Sequence, residues 1–293
     1  EREIMLLADV ALARRIDGFE ARGSRSIGEA AARIHPHARA FVRPLGQGIA
    51  VYAGPGSPAN KIIAVGFDDA FDSAALEAVE QEYFERLSPV QAEVATLASP
   101  AILGLFTARG YLLQGFEDVL GIPLADREPE PGEFPGLTIE IARQGDLKSW
   151  IDILIEGFLH ADETGAGSAI ELPPRQALED AFNQSMAMPG FRAYIARLNG
   201  AGAGGGGLRV GEGIAQFCGA ATLPALRRRG IQTALLRRRL RDARGAGCDL
   251  GIMTAQPGSR SHFNAQRHGF SLLYSRAILV KLPPAGAGGG RAR

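Results

Sequence analysis

The sequence has little of what would mark a class at sight. It holds two cysteines, Cys218 and Cys248, spaced as neither a disulfide framework nor a metal knuckle, so both read as reduced, small buried side chains. The five histidines are scattered. "HPH" at His35 to His37 has no further Cys or His nearby, so it reads as a loop and no metal site is expected. No apolar run approaches the twenty residues of a membrane span and no signal-peptide pattern is present, which makes a soluble cytoplasmic protein the expectation. Excess charge is missing too. Lys+Arg and Asp+Glu each total 32, so nothing pulls the whole chain toward nucleic acid or an anionic membrane.

Core material is ample. Hydrophobic residues make up 46% and charged residues 22% of 293, an ordinary globular composition whose length predicts two domains of about 100 to 150 residues. The clearest break is "ADREPEPGEFPG", residues 125–136, where prolines and acids leave nothing to pack. The expected domains are therefore 1–124 and 137–282, with residues 283–293, "PPAGAGGGRAR", a disordered tail.

Both halves read as α/β. In the first, "EREIMLLADVALARRIDGFEA" is an amphipathic helix, "NKIIAVGF" a buried strand, "SAALEAVEQEYFERL" a helix, "VQAEVATLA" a strand and "PAILGLFTARG" a helix entering "YLLQGFEDVLG". The second opens with the strand "LTIEI" and a helix capped by Asp146, then the helix "PPRQALEDAFNQSMAMP". Two strands joined at Asn199-Gly200 follow, a strong hairpin signal. Gly204 to Gly207 fit a thin strand that lets another segment approach, a flexible linker being the other reading. Next come "GIAQFCGAATL", "IQTALLRRRLRDARGAG", "CDLGIMTA", "SRSHFNAQRHG" and "FSLLYSRAILVK" as strand, helix, strand, helix, strand. The order repeats between the halves, as a duplicated α/β module would.

One stretch needs a chemical reason. "ATLPALRRRGIQTALL" places Arg227, Arg228, Arg229 and Gly230 between a strand and a helix whose first N–H groups lack partners and whose dipole makes that end partly positive. An anion is the expected guest, with Gly230 allowing close approach to the backbone. A solvated turn is the bland alternative.

Strand, "LPALRRRGIQTALL", helix, strand, helix and Gly269-Phe270 together resemble the second half of the GNAT superfamily of N-acetyltransferases, which bind acetyl-coenzyme A. The family's loop runs Gln or Arg, two residues, Gly, one residue, Gly or Ala. Arg227, Gly230 and Gln232 stand at the fixed positions, and Gln232 departs from the pattern tolerably if only its backbone N–H is used. The resemblance covers residues 137–281. It implies an α/β (α+β) chain of two tandem GNAT-like modules, each a mixed, mostly antiparallel twisted sheet flanked by helices. It further implies that the backbone of Arg228, Arg229, Gly230, Ile231, Gln232 and Thr233 cradles the pyrophosphate. Thr222 and Leu223 would pair with the pantetheine arm, a backbone N–H near Leu223 would hold the oxyanion, and Asn264 and Ser261 would face the cofactor. In the first half the matching loop is "FDDAFDS", whose Asp68, Asp69 and Asp72 would each repel a phosphate by roughly 3 kcal/mol at ~6 Å and an effective dielectric near 20. That half resembles a degenerate module without the cofactor site, either walling the substrate cleft or packed beside its partner without functional contact.

The implied reaction is acetyl transfer to a primary amine of a small molecule or peptide by direct attack. A lysine-like amine with pKa about 10.4 must lose a proton at a cost of about 4 to 5 kcal/mol, so a general base is expected. His160 and Glu212 are the candidates, Glu212 also fitting an exposed turn. Asp162, Glu163 and Glu171 would attract a cationic acceptor, or are solvated loop acids. Where many members carry a tyrosine four residues before Gly-Phe, this chain has Ala265, leaving Tyr274, water or the product amine to protonate the thiolate. A non-catalytic sensor or scaffold that binds acetyl-coenzyme A is the alternative. The eight arginines of residues 227–244 lack aromatic interleaving, so no nucleic acid partner is expected, nor a membrane; a monomer or homodimer is.

Overall fold

A computed structural model describes residues 6–67, 73–124, 134–160 and 173–284. In chain order the elements are α1 (Val10–Ile34), β1 (Phe41–Leu45), β2 (Gly48–Tyr52), β3 (Lys61–Ile63), α2 (Ser73–Phe84), β4 (Val90–Ala95), α3 (Pro100–Ala108) and β5 (Leu112–Pro123). Then follow β6 (Leu137–Ile141), α4 (Leu147–Leu159), α5 (Arg175–Ser185), β7 (Phe191–Leu198), β8 (Ala201–Gly211), β9 (Ile214–Thr222), α6 (Ile231–Gly245), β10 (Leu250–Ala255), α7 (Arg260–Arg267) and β11 (Ser271–Lys281). Among the described residues, no helix is long and apolar enough to cross a membrane. Residues 125–133 of the expected linker and 285–293 of the expected tail lie outside the described residues.

The first helix starts later than its amphipathic pattern predicts. Asp9 Oδ1 accepts from Leu12 N at 2.7 Å, and this cap fixes the start at Val10. Asp146, expected to cap α4, does not do so: its carboxylate accepts from the Arg143 backbone N–H at 2.9 Å and pairs with Arg197.

Two compact units form, and neither is one consecutive stretch. One gathers Leu7–Asp118, Ser168–Gln184 and Tyr274–Arg293; the other gathers Glu1–Leu6, Val119–Gly167 and Ser185–Leu273. The cuts fall inside β5 and β11, so the last strand of the chain serves mainly the unit that holds α1. In that unit β1, β2 and β3 are antiparallel, β3 meets β4 in parallel at Ile62↔Ala92, and β11 runs antiparallel to β4 from Ala95↔Arg276 to Val90↔Lys281. The other unit repeats the scheme. Its β6, β7, β8 and β9 are antiparallel, and β9 meets β10 in parallel at Ile214↔Leu250, with α6 between them in the chain. In each unit the pairing is therefore mixed and mostly antiparallel, with a parallel step across a helix, as the family resemblance implies.

Glycines Gly204 to Gly207 form the centre of β8, buried throughout, so the strand reading holds over the linker reading. Their missing side chains admit other groups on both faces. A Cβ at Gly204 would meet Ile231 and Leu235 of α6, while one at Gly205 would meet Trp150 and Leu154 of α4, at 2.8 to 3.4 Å. Gly206 leaves room for Arg239, whose Nη1 donates to Gly207 O at 2.9 Å and whose Nε donates to Leu235 O at 3.2 Å. Burial pushes this guanidinium down to about 10, which leaves it charged at neutral pH. The strand thus gains its stability from what packs on it, with Trp150, Tyr194 and Leu235 fully buried around it.

The unit holding α1 buries an ionic cluster. Arg276, 1% exposed, pairs with Asp17 at 2.5 Å, with Glu20, and with Glu117 at 3.2 Å; Lys61 Nζ reaches Glu93 Oε1 at 2.9 Å. Burial opposes ionisation of Glu93, but Lys61 and Arg276 together hold it below the usual carboxylate range. Glu117 goes the other way. Burial first, and then the charge on Glu93, push it up to about 7.

Two predictions follow from these cores. Gly205→Val drives a branched side chain into Trp150 and should lower stability by about 3 kcal/mol in thermal melts, whereas Ala201→Val, at an exposed strand end, should change it little. Because Glu117 holds its proton more tightly folded than in an unfolded chain, where carboxyls titrate near 4.3, its ionisation erodes stability as pH rises from about 4.5 to 7. Glu117→Gln should therefore raise Tm more at pH 8 than at pH 5; an equal shift at both would contradict the assignment.

Candidate functional site

The site is assembled where β9 ends. After Thr222 the chain makes a short 3₁₀ turn at Pro224–Leu226, passes Arg227 to Arg229 and turns at Gly230, whose φ of 76° places it in the left-handed region before α6 begins. The first helical hydrogen bond of this end runs from Ala234 N to Gly230 O at 2.9 Å. The N–H groups of Ile231, Gln232 and Thr233 precede it and have no acceptor within the helix. Arg228 and Arg229 are exposed beside them. Donors, dipole and two cations are what a diphosphate needs, so the residues present fit that group.

The third arginine has another task. Arg227 Nη2 donates to Gly157 O at 3.1 Å and to His160 O at 2.6 Å, satisfying carbonyls at the C-terminal end of α4. Gly157 makes this approach possible. A Cβ there would lie 2.5 Å from Ala221 Cβ and 3.3 Å from Thr222 O, so α4 rests directly on the end of β9. Gln232 closes the group: its Nε2 donates to Thr222 Oγ1 at 2.8 Å, joining strand end to first helical turn and leaving its backbone N–H out of the side chain's business.

His160 lies at this junction, more than half exposed. Its Nδ1 is 3.0 Å from Glu156 O and 3.2 Å from Glu156 Oε1, and because both oxygens accept, Nδ1 is the donor and Nε2 is the nitrogen that carries the lone pair whenever the ring is neutral. The remaining candidates are not all gathered here. Glu212, exposed with a φ of 53°, sits at the tip of the β8–β9 hairpin; the nine residues of β9 at ~3.3 Å each put roughly 30 Å between it and Leu223. It cannot act as base at the loop. Tyr274 belongs to the other unit, 5% exposed, where its hydroxyl donates to Asp17 Oδ1 at 2.6 Å and burial raises its pKa far out of the working range. It is a buried structural group. The Leu223 N–H, expected to hold an oxyanion, already donates to Ala203 O at 3.0 Å. Asn264 lies half-exposed on α7, its backbone carbonyl oxygen meeting His268 Nδ1 at 2.8 Å, and among the described residues no hydrogen bond joins it to the loop. Asp162, Glu163 and Glu171, with Asp68, Asp69 and Asp72 of the first half, lie outside the described residues.

The eight arginines of residues 227–244 do not all present free charge to solvent. Arg239 is buried, and Arg238 pairs with Asp242 at 3.1 Å while donating to Ile139 O at 2.7 Å. Sequence reasoning missed Gly157, although an isolated glycine in an apolar helix is a recognised sign of close packing. It also missed Phe134, whose ring lies against Gly230 where a Cβ would collide with its Cε1 and Cδ1.

The division of labour among the arginines has a measurable form. Arg227→Ala removes a charged donor from two carbonyls and should cost roughly 1 to 2 kcal/mol in thermal melts, whereas exposed Arg228→Ala should stay within about 0.5 kcal/mol of wild type.

Comparison with known proteins places this geometry. A model of the acetyltransferase (GNAT) family matches residues 155–270. A GCN5-related N-acetyltransferase from Kribbella flavida aligns with a TM-score of 0.61 at 18% identity, covering 89% of this chain and 96% of its own. Another from Sphaerobacter thermophilus aligns with a TM-score of 0.55 at 17% identity, over 75% of this chain and 71% of its own. A tandem GNAT protein from the clavulanic acid biosynthesis pathway gives 0.51 at 15% identity, over 82% and 74%. No curated protein matches the sequence. Residues 155–270, which hold the loop, the end of β9 and the last turn of α4, match the GNAT acetyltransferase family, and the chain has the fold of GNAT proteins, a tandem one among them; this supports an acyltransferase activity in general.

Proposed function

We propose that the chain transfers the acetyl group of acetyl-coenzyme A to a primary amine of a small molecule or peptide. The observation that carries this is the start of α6, where unpartnered N–H groups and the exposed Arg228 and Arg229 converge beside the end of β9. Acetyl-coenzyme A supplies the activated acyl carbon when bound. The backbone from Arg228 to Thr233 holds its diphosphate, and Thr222 and Leu223 flank its pantetheine arm. His160 Nε2 takes the proton from the attacking amine, either directly or through one water. As the amine nitrogen bonds to the acetyl carbon, the carbon–sulfur bond breaks, and the thiolate is protonated from water, since the Tyr274 hydroxyl is committed to Asp17.

The Leu223 N–H and the Tyr274 hydroxyl, both engaged elsewhere, favour a second reading: an acetyl-coenzyme A-binding sensor without turnover. Calorimetry and a thiol-release assay distinguish the two. Thr233→Glu is the informative variant, because a carboxylate in the first turn supports the helix while repelling a diphosphate. The expected outcome is one acetyl-coenzyme A site per chain, weakened about tenfold or more in Thr233→Glu with Tm unchanged or raised. Thiol release with some member of an amine panel, lost in His160→Ala, identifies the transferase; binding without release identifies the sensor. No binding would overturn both.

A further inference from the structure

Phe134 has no part in the reaction proposed above, yet its ring lies on Gly230. The ring is held there by local structure. Phe134-Pro135-Gly136-Leu137 is a β-turn closed by Leu137 N donating to Phe134 O at 2.9 Å, with proline second and Gly136 third at a φ of 72°, the signature of type II. Gly136 O accepts from Asn199 N at 2.7 Å, which ties the turn to the β7–β8 hairpin, and β6 pairs with β7 from Leu137↔Leu198 onward. The Arg237 guanidinium, one turn and a half along α6, stands 6.0 Å from the ring centroid. All these residues belong to one compact unit.

Gly230 therefore has two claims on the space beside its Cα. A diphosphate seated on the first N–H groups of α6 needs close approach to this backbone, and an aromatic ring already fills the direction in which a side chain would stand. We propose that Phe134 is an autoinhibitory strap: its ring covers the start of α6, and the cofactor's diphosphate must displace it to bind. This inference rests on the acetyl-coenzyme A reading of the loop. Displacement is local, because the turn ends at β6, and rotation about Phe134 moves the ring without breaking the Leu137–Leu198 pairing. Loss of the ring also ends its contact with the Arg237 guanidinium. Affinity is reduced by the fraction of molecules in which the ring is seated.

The test compares wild type, Phe134→Ala and Phe134→Leu by calorimetry with acetyl-coenzyme A, with amide exchange of residues 228–234 followed in parallel. Phe134→Ala should bind about threefold to tenfold more tightly, with Phe134→Leu between it and wild type. Without ligand, exchange at the start of α6 should be faster in Phe134→Ala, and acetyl-coenzyme A should slow it in both. Equal affinity, or weaker binding by a variant whose circular dichroism matches wild type, overturns the strap and leaves the acetyl-coenzyme A reading standing; weaker binding would make the ring a platform. Failure of wild type and both variants to bind overturns that reading and the strap with it.

Discussion

The candidate site depends on four glycines that contribute no side chain to it. Gly205 lets α4 press on one face of β8 and Gly204 and Gly206 let α6 press on the other, while Gly207 makes room for Phe191 and Cys218 of the neighbouring strands. Closeness to the same strand fixes where the two helices lie relative to the end of β9. One arrives with its C-terminal carbonyls and the other departs with its N-terminal amides, so opposite ends of two helix dipoles meet at the same place. Arg227 bridges them, neutralising the carbonyl end and leaving the amide end without a partner.

That asymmetry explains why three arginines occur in succession. A guest anion would be drawn to both Arg228 and Arg229 and to the amides, while Arg227 is already spent on α4. Fixing the loop through one arginine lowers the ordering cost of binding with the other two, which is how a preorganised site gains affinity without further contacts. Gln232 contributes in the same way, its amide tied to Thr222 so that the strand end and the first helical turn move as one body.

Much of the fold was legible because its signals are local. The alternation of strands and helices, the Asn199-Gly200 turn and the strand made of glycines all follow from periodicity and turn chemistry, and the repeated order of the halves is matched by the repeated parallel step. The loop was legible for the same reason, since its amides, glycine and arginines are adjacent in the chain. Residues assigned by chain neighbourhood fared differently. Glu212 precedes the cofactor strand in sequence, yet a strand carries its two ends far apart. Tyr274 follows Gly269 closely but crosses into another compact unit within β11. The pairing of β11 with β4 is long-range and has no sequence signature, so the interleaving of the two units could not be read from composition.

The buried pairing of Asp17 with Arg276 spans 259 residues of chain. A ribosome releases α1 and its carboxylates long before their guanidinium exists. Until then α1 cannot seat Asp17 and Glu20 against its sheet without leaving charge unpaired, and β4 lacks the neighbour that β11 will provide. The unit containing the first helix is thus completed last. Synthesis leaves it with an open strand edge throughout elongation, the state in which a chaperone or a wrong partner would find it.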